Sequence, residues 1–372
     1  MDGVPNRNNR ILEFDILKTI AIIGIVVTHS SMSLIEGEVG KIAQAGARCV
    51  QLFFIISAYL MCESLKRNKK ELKFWYIKKV FRLVPLFWVS SIVYIIINGL
   101  GETYWTYRDG LTWGTIISNF CLFHGINPFW INAININWYV GTLVIFIILS
   151  PLLTRIITSF RVAVIWFVLC YIITDFVTKQ ISLLSVLFEK SHIWVAYWGS
   201  FSFITELPVY VLGIVLFYYM QEGINKTLWF SLDTAKRGYM VALLIGSVIS
   251  FFQAIRENYS IVGYSLVFIL IIITALVCNI GRYMKGFTPI FVMISENTYG
   301  IYLFHRFFQS FYKMYVKTDG LLVSCVEVIA SLMASLLCSA LLSHIIEKPV
   351  CRFLDGLICR LSWLWRKDEN SN

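Results

Sequence analysis

The stretch DILKTIAIIGIVVTHSS, residues 15–31, decides how the chain is read. Ten largely apolar residues separate Lys18 from His29. An α-helix turns about 100° and rises about 1.5 Å per residue. Over this spacing the two side chains return to within about 20° of one azimuth, about 16 Å apart along the axis. Asp15, Ile22 and Ile25 belong to the same stripe. A cation at the bilayer centre costs about 2.5–3.5 kcal/mol, whereas ten apolar residues return only about 3–6 kcal/mol. Lys18 is therefore expected at the cytoplasmic edge, paired with Asp15 or an anion, with His29 toward the outer face. Two readings are open. Lys18 snorkels and His29 caps the far end, or both line a passage through the protein.

The rest of the chain has the same character. Of its 372 residues 58% are hydrophobic and 15% charged, and the mean hydropathy is +0.71. Soluble domains carry about 25% charged residues, so this composition excludes a soluble protein. It points to an all-α, polytopic integral membrane protein forming a single domain over 1–372. Apolar runs near bilayer length predict ten spans, at 17–34, 49–65, 82–99, 138–157, 162–178, 201–220, 239–254, 261–281, 290–312 and 320–345. An even count places both termini on one side. The net charge of +10 is clustered, most densely in KRNKKELKFWYIKKVFR (66–82) and in the tails at 1–14 and 360–372. That side is therefore the cytoplasm. No cleavable signal peptide is expected, and the first span stays as an anchor. The long outer connection at 100–137 holds GTIISNFCLFHG, too short to span and suited to an interfacial or re-entrant helix.

Nine cysteines without a CxxC pair form neither a disulfide framework nor a zinc site. Five scattered histidines without HExxH spacing give no metal signal. The basic runs beside apolar segments argue for membrane topology rather than nucleic acid.

Several stretches together carry a family resemblance. Lys18 and His29 fit a first-span signature of Arg or Lys, ten residues, then His. LFFIISAYL (52–60) is similar to FFxxSG(F/Y)L, with Ala58 in place of Gly. KKVFRLVPLFW (78–88) resembles RxxRIxPxYW, with Lys79 for the first Arg, while Arg82 and Pro85 fit. WYVGTLVIFIILSP (138–151) aligns with a Trp-to-Pro span, but Leu143 stands where many members carry Glu. LPVYVLG (207–213), SENTYGIYLFH (295–305) and IEKP (346–349) resemble the later motifs. In order and spacing the chain resembles the membrane-bound acyltransferase-3 family, the integral O-acyltransferases of bacterial surface glycans.

The resemblance implies an acyl-CoA-dependent enzyme of the bacterial inner membrane. It would move an acyl group, acetyl first, to a sugar hydroxyl of an extracytoplasmic polysaccharide or glycolipid. His29 would be the catalytic base or an acyl relay, and Lys18 its companion on the route. Acyl-CoA would be a co-substrate, with no bound cofactor and no metal. Lys78, Lys79 and Arg82, at the cytoplasmic start of span three, are expected to meet its phosphates, Arg as a fork and Lys as a point charge. Trp138, Glu296, Tyr299, His305 and Asp15 are weaker candidates for the substrate path, because polar groups within spans usually face a cavity or one another. The expected partners are acyl-CoA, the glycan or lipid-linked sugar, and the bilayer, with no nucleic acid. Two other classes fit the bare topology: a transporter or flippase, and a non-catalytic membrane component of a polysaccharide assembly system.

Overall fold

A computed structural model of the chain describes residues 10–67, 72–101, 110–126, 134, 137–187, 199, 201–222, 245–251, 261–317 and 320–369. Among the described residues it is all-helical, without a strand. The helices are α1 (Leu12–His29), α2 (Glu38–Ala45), α3 (Cys49–Arg67), α4 (Leu72–Asn98), α5 (Trp113–Phe120), α6 (Trp138–Ile156), α7 (Phe160–Leu187) and α8 (Phe203–Glu222). They continue as α9 (Ile261–Val277), α10 (Ile280–Tyr283), α11 (Thr288–Tyr315), α12 (Leu321–Leu342) and α13 (Lys348–Glu369).

Among the described residues, six helical stretches are long and apolar enough to cross a membrane: Glu38–Arg67, Leu72–Asn98, Trp138–Ile156, Phe160–Ile181, Phe203–Gln221 and Leu321–Ile358. α1 falls outside this group because Glu13, Asp15 and Lys18 all lie within its 18 residues. Of the expected span at 239–254, residues 245–251 are helical and the rest lie outside the described residues. The most apolar window of α7 is only 17% buried, whereas those of Glu38–Arg67 and Phe203–Gln221 are 72% and 67% buried. A bare apolar surface such as that of α7 needs lipid around it. The protein is a multi-pass membrane protein.

Three segments end differently from expectation. The first helix stops at His29, where Ser30 turns to extended backbone (φ −84°, ψ 171°). Residues 31–34 then form a 3₁₀ turn capped by the Ser30 hydroxyl, which accepts from Met32 N–H at 3.2 Å. The short helix of the 100–137 connection is α5, opened by a Thr112–Thr115 capping box and closed before Leu122, whose φ is +62°. α7 continues to Leu187, well past the expected end at 178.

The chain sorts into two compact units. One comprises Met1–Tyr59, Thr158–Ile172 and Glu206–Leu336. In it α1 packs most extensively against α11. Two glycines permit close approaches between its segments. A Cβ on Gly46 would sit 2.0 Å from the Gly24 carbonyl oxygen of α1. A Cβ on Gly213 of α8 would sit 2.2 Å from Ile55 O and 2.6 Å from the Ala58 methyl of α3. The Ala58 methyl thus occupies space left open by a glycine on the facing helix.

The other unit comprises Leu60–Ile157, Ile173–Thr205 and Leu337–Asn372. Here α4 packs on α6 and α13. The α5 segment is tied to α4: Trp88 Nε1 donates to Phe120 O at 2.9 Å, and Ser91 Oγ to Asn119 Oδ1 at 3.2 Å. Sequence alone gave no reason to bury His124, which lies between α5 and α6. Its ring is fully buried, stacked on Phe87 at 5.5 Å and 9°, with Nε2 3.1 Å from Asn137 O. Because a carbonyl only accepts, Nε2 carries the proton. Burial lowers the pKa from 6.5 to about 4, against the opposing pull of the Asn137 bond.

The sign of the consequence follows from that depression. Between pH 6.5 and about 4 the unfolded chain binds this proton and the folded chain does not. Stability is complete above the unfolded value and declines as the pH falls toward 4. The gap corresponds to on the order of 3 kcal/mol. Thermal unfolding in detergent is expected to show that decline, and His124→Gln to flatten it. An equal slope in the variant would assign the acid sensitivity to other groups.

Candidate active site

The stripe singled out in the sequence faces the protein. Ile22 and Ile25, between Lys18 and His29, are 0% and 1% exposed. Lys18 and His29 are both half-buried. The two ionisable groups therefore flank a buried seam of the first unit and not a lipid-facing one.

At the Asp15 end, α1 is clamped to α11. Asp15 Oδ2 and Oδ1 accept from Arg10 Nε at 2.5 Å and Nη2 at 3.0 Å. Ser295 Oγ donates to Oδ1 at 2.6 Å. Arg10 Nη1 also reaches Glu296 Oε1 at 2.6 Å. The hydrogen bond with Asp15 leads the effects that raise the Arg10 pKa above its ordinary value. Glu13, in the same first helical turn, accepts from Gly281 N–H at 3.1 Å. Acids here also suit the helix dipole. Asp15 and Glu296, named as path residues, thus meet Arg10, which lies within the tail expected in the cytoplasm.

At the His29 end the same helices meet again. His29 Nδ1 lies 3.0 Å from His305 Nε2, with ring centroids 5.1 Å apart. His305 is buried, and its Nδ1 is 3.1 Å from Ile301 O and 2.7 Å from Tyr302 O. The reason is local. Side chains on a helix lean toward its N-terminus, over the residues three and four earlier. One turn on, Gln309 Nε2 donates to Val26 O at 2.7 Å. Asp15 with Ser295 and His29 with His305 show that α1 and α11 run parallel, as spans one and nine of the expected topology would. Tyr302 is buried, with its ring 6.0 Å from that of His305, and Tyr299 is partly buried on the same helix.

Beyond His29 the chain is held again. Ser31 N–H donates to Glu327 Oε2 at 3.0 Å, and Lys313 Nζ lies 3.4 Å from the other oxygen of this fully buried carboxylate. The sequence showed Glu327 only as one acid in an apolar run. Nothing in it signalled Lys313 or Ser31 as its neighbours.

The remaining candidates belong to the second unit. Lys78 Nζ pairs with Asp355 Oδ1 at 2.9 Å, and Arg82 Nε lies 3.7 Å from Glu347 Oε1. Lys79 Nζ sits 5.7 Å from the Trp75 ring centroid. Two cations, Lys78 and Arg82, thus face two acids of the C-terminal segment, while Lys79 sits by Trp75. Lys78 and Arg82 stay exposed, so these pairs contribute little to stability and leave the cations open to a stronger anion. Trp138 is buried, 4.8 Å from Phe201 between ring centroids. Leu143 is buried and Ala58 fully so. Among the described residues no three His, Cys, Asp or Glu converge as a metal site would require.

Chemically, the His29–His305 pair offers a partly buried imidazole backed by a fully buried one. Such an arrangement suits proton transfer to or from a bound hydroxyl. No curated protein and no solved structure matches the chain. The profile of the acyltransferase-3 family, described as an acyltransferase domain, matches residues 11–344. That match takes in α1 through α12 and every motif quoted above except IEKP (346–349), and the chain accordingly belongs to the acyltransferase-3 family of membrane acyltransferases.

Proposed function

We propose that the protein is an inner-membrane O-acyltransferase. It moves an acyl group, acetyl first, from cytoplasmic acyl-CoA to a sugar hydroxyl of an extracytoplasmic polysaccharide or glycolipid. Both termini are cytoplasmic in this reading. The supporting observation is the inward-facing stripe of α1, with half-buried His29 at its far end against His305.

In the reaction His29 takes the proton of the acceptor hydroxyl as its oxygen attacks the thioester carbonyl. The carbon–sulfur bond breaks, and the CoA thiolate leaves and receives the proton. The products are the ester and free CoA. Lys18 lies on the approach to His29. Lys78, Lys79 and Arg82 bind the phosphates of CoA, exchanging Asp355 and Glu347 for a more highly charged partner.

The test is mass spectrometry of alkali-labile esters on the surface polysaccharide of cells with and without the gene, fed an isotope-labelled acyl precursor. Labelled ester present only with the gene supports the reading. Identical ester content in both strains would falsify it.

A further inference from the structure

The histidine pair has a direction that the ring contact alone does not convey. His305 Nδ1 faces two backbone carbonyl oxygens, of Ile301 at 3.1 Å and Tyr302 at 2.7 Å. Carbonyls only accept, so this nitrogen bears the proton. In a neutral imidazole the other nitrogen is then an acceptor. His29 Nδ1, 3.0 Å from His305 Nε2, must therefore be the donor. That leaves the lone pair of His29 on Nε2. No described residue donates a hydrogen bond to this nitrogen. His305 is 2% exposed while His29 is half-buried. The fully buried ring stands behind the partly buried one.

From this chain of donors and acceptors we infer that His305 is a positioning residue. It selects the Nδ1-protonated tautomer of His29 and so presents Nε2, and not Nδ1, to the acceptor hydroxyl. A histidine base needs a partner on its second nitrogen to fix its tautomer and ring orientation, a role often filled by a carboxylate. Here the partner is a neutral ring whose own tautomer is fixed by the backbone of α11. When His29 takes up the proton on Nε2, the Nδ1–H bond to His305 is kept, so the pair needs no rearrangement during the step. This inference rests on the proposed acyl transfer for its catalytic meaning, but the tautomer itself does not depend on turnover.

The experiment has two readouts. ¹⁵N NMR of histidine-labelled full-length protein in nanodiscs, with the signal assigned through His29→Gln, reads the tautomer directly. In the wild type His29 is expected to carry its proton on Nδ1, and in His305→Phe to become a mixture of tautomers. A wild-type His29 protonated on Nε2 overturns the inference, as does an unchanged tautomer in His305→Phe. Acyl transfer is the second readout. His305→Phe, which keeps bulk but has no acceptor, is expected to lower kcat on the order of 10²-fold with KM little changed. His305→Gln, whose amide oxygen can accept from His29, is expected to recover most of it. Equal kcat in wild type and His305→Phe also overturns the inference. Absence of ester formation in the wild type would instead count against the proposed function, and the NMR result would still decide the pairing.

Discussion

Replacing His29 with alanine is expected to lower ester formation by about 10²- to 10⁴-fold, the range that a positioned general base supplies. In barrier terms this is about 2.7–5.5 kcal/mol. The structural cost should be much smaller. His29 is half-buried, and its ring bonds to His305 and to the Ile25 backbone; each such bond contributes about 1 kcal/mol net. The variant should therefore insert and accumulate normally while the polysaccharide loses its ester. Mass spectrometry of the polysaccharide, set against protein level in the membrane, separates these effects. The same variant discriminates the rival classes. A carrier would lose flux of polymer with unchanged ester per repeat, and a scaffold would tolerate the change. Full ester content at normal protein level would remove His29 from the chemistry.

The second large effect is expected at the opposite end of the same helix. Asp15→Ala should destabilise the protein by about 3 kcal/mol. Removing one partner of a buried ion pair costs about 3–5 kcal/mol because the other charge is left uncompensated. The lower end applies here, since the Arg10 side chain is 32% exposed and keeps Glu296. Asp15 also accepts from Ser295, so its loss opens the join between α1 and α11 as well as the ion pair. Asp15→Asn, which can still accept from Ser295, should cost less. Thermal unfolding in detergent measures all three proteins. A double-mutant cycle with Arg10→Ala should return a coupling of about 0.5–3 kcal/mol, as expected for residues in direct contact. Strict additivity would mean that the clamp carries no stability.

Together these sites show how far the sequence could be read. Apolar runs located the starts of α3, α6, α8, α9 and α12 to within a few residues, because the bilayer demands an uninterrupted apolar helix and punishes polar backbone. The spacing of Lys18 and His29 assigned them one stripe, because helical periodicity is a local property. The motif at 295–305 flagged His305 as a candidate. Local rules stop there. They did not predict that Arg10, in the basic N-terminal tail, would hold Asp15, nor that His124 in a loop would be fully buried. Glu327 likewise gave no sign of its contacts with Ser31 and Lys313.

The sequence by itself therefore determined the all-helical class, where most of the helices begin, the family motifs and the position of each charge along its own helix. Bilayer thickness and the helical repeat act within a single segment, so they can be read from it. Only the tertiary structure decided which side of α1 turns inward, and that His29 meets His305 across 276 positions of chain. Those outcomes depend on close packing between distant segments. The glycine at 46, the carboxylate at 15 and the carbonyls of α11 each fix one approach, and no local pattern records which surfaces will meet.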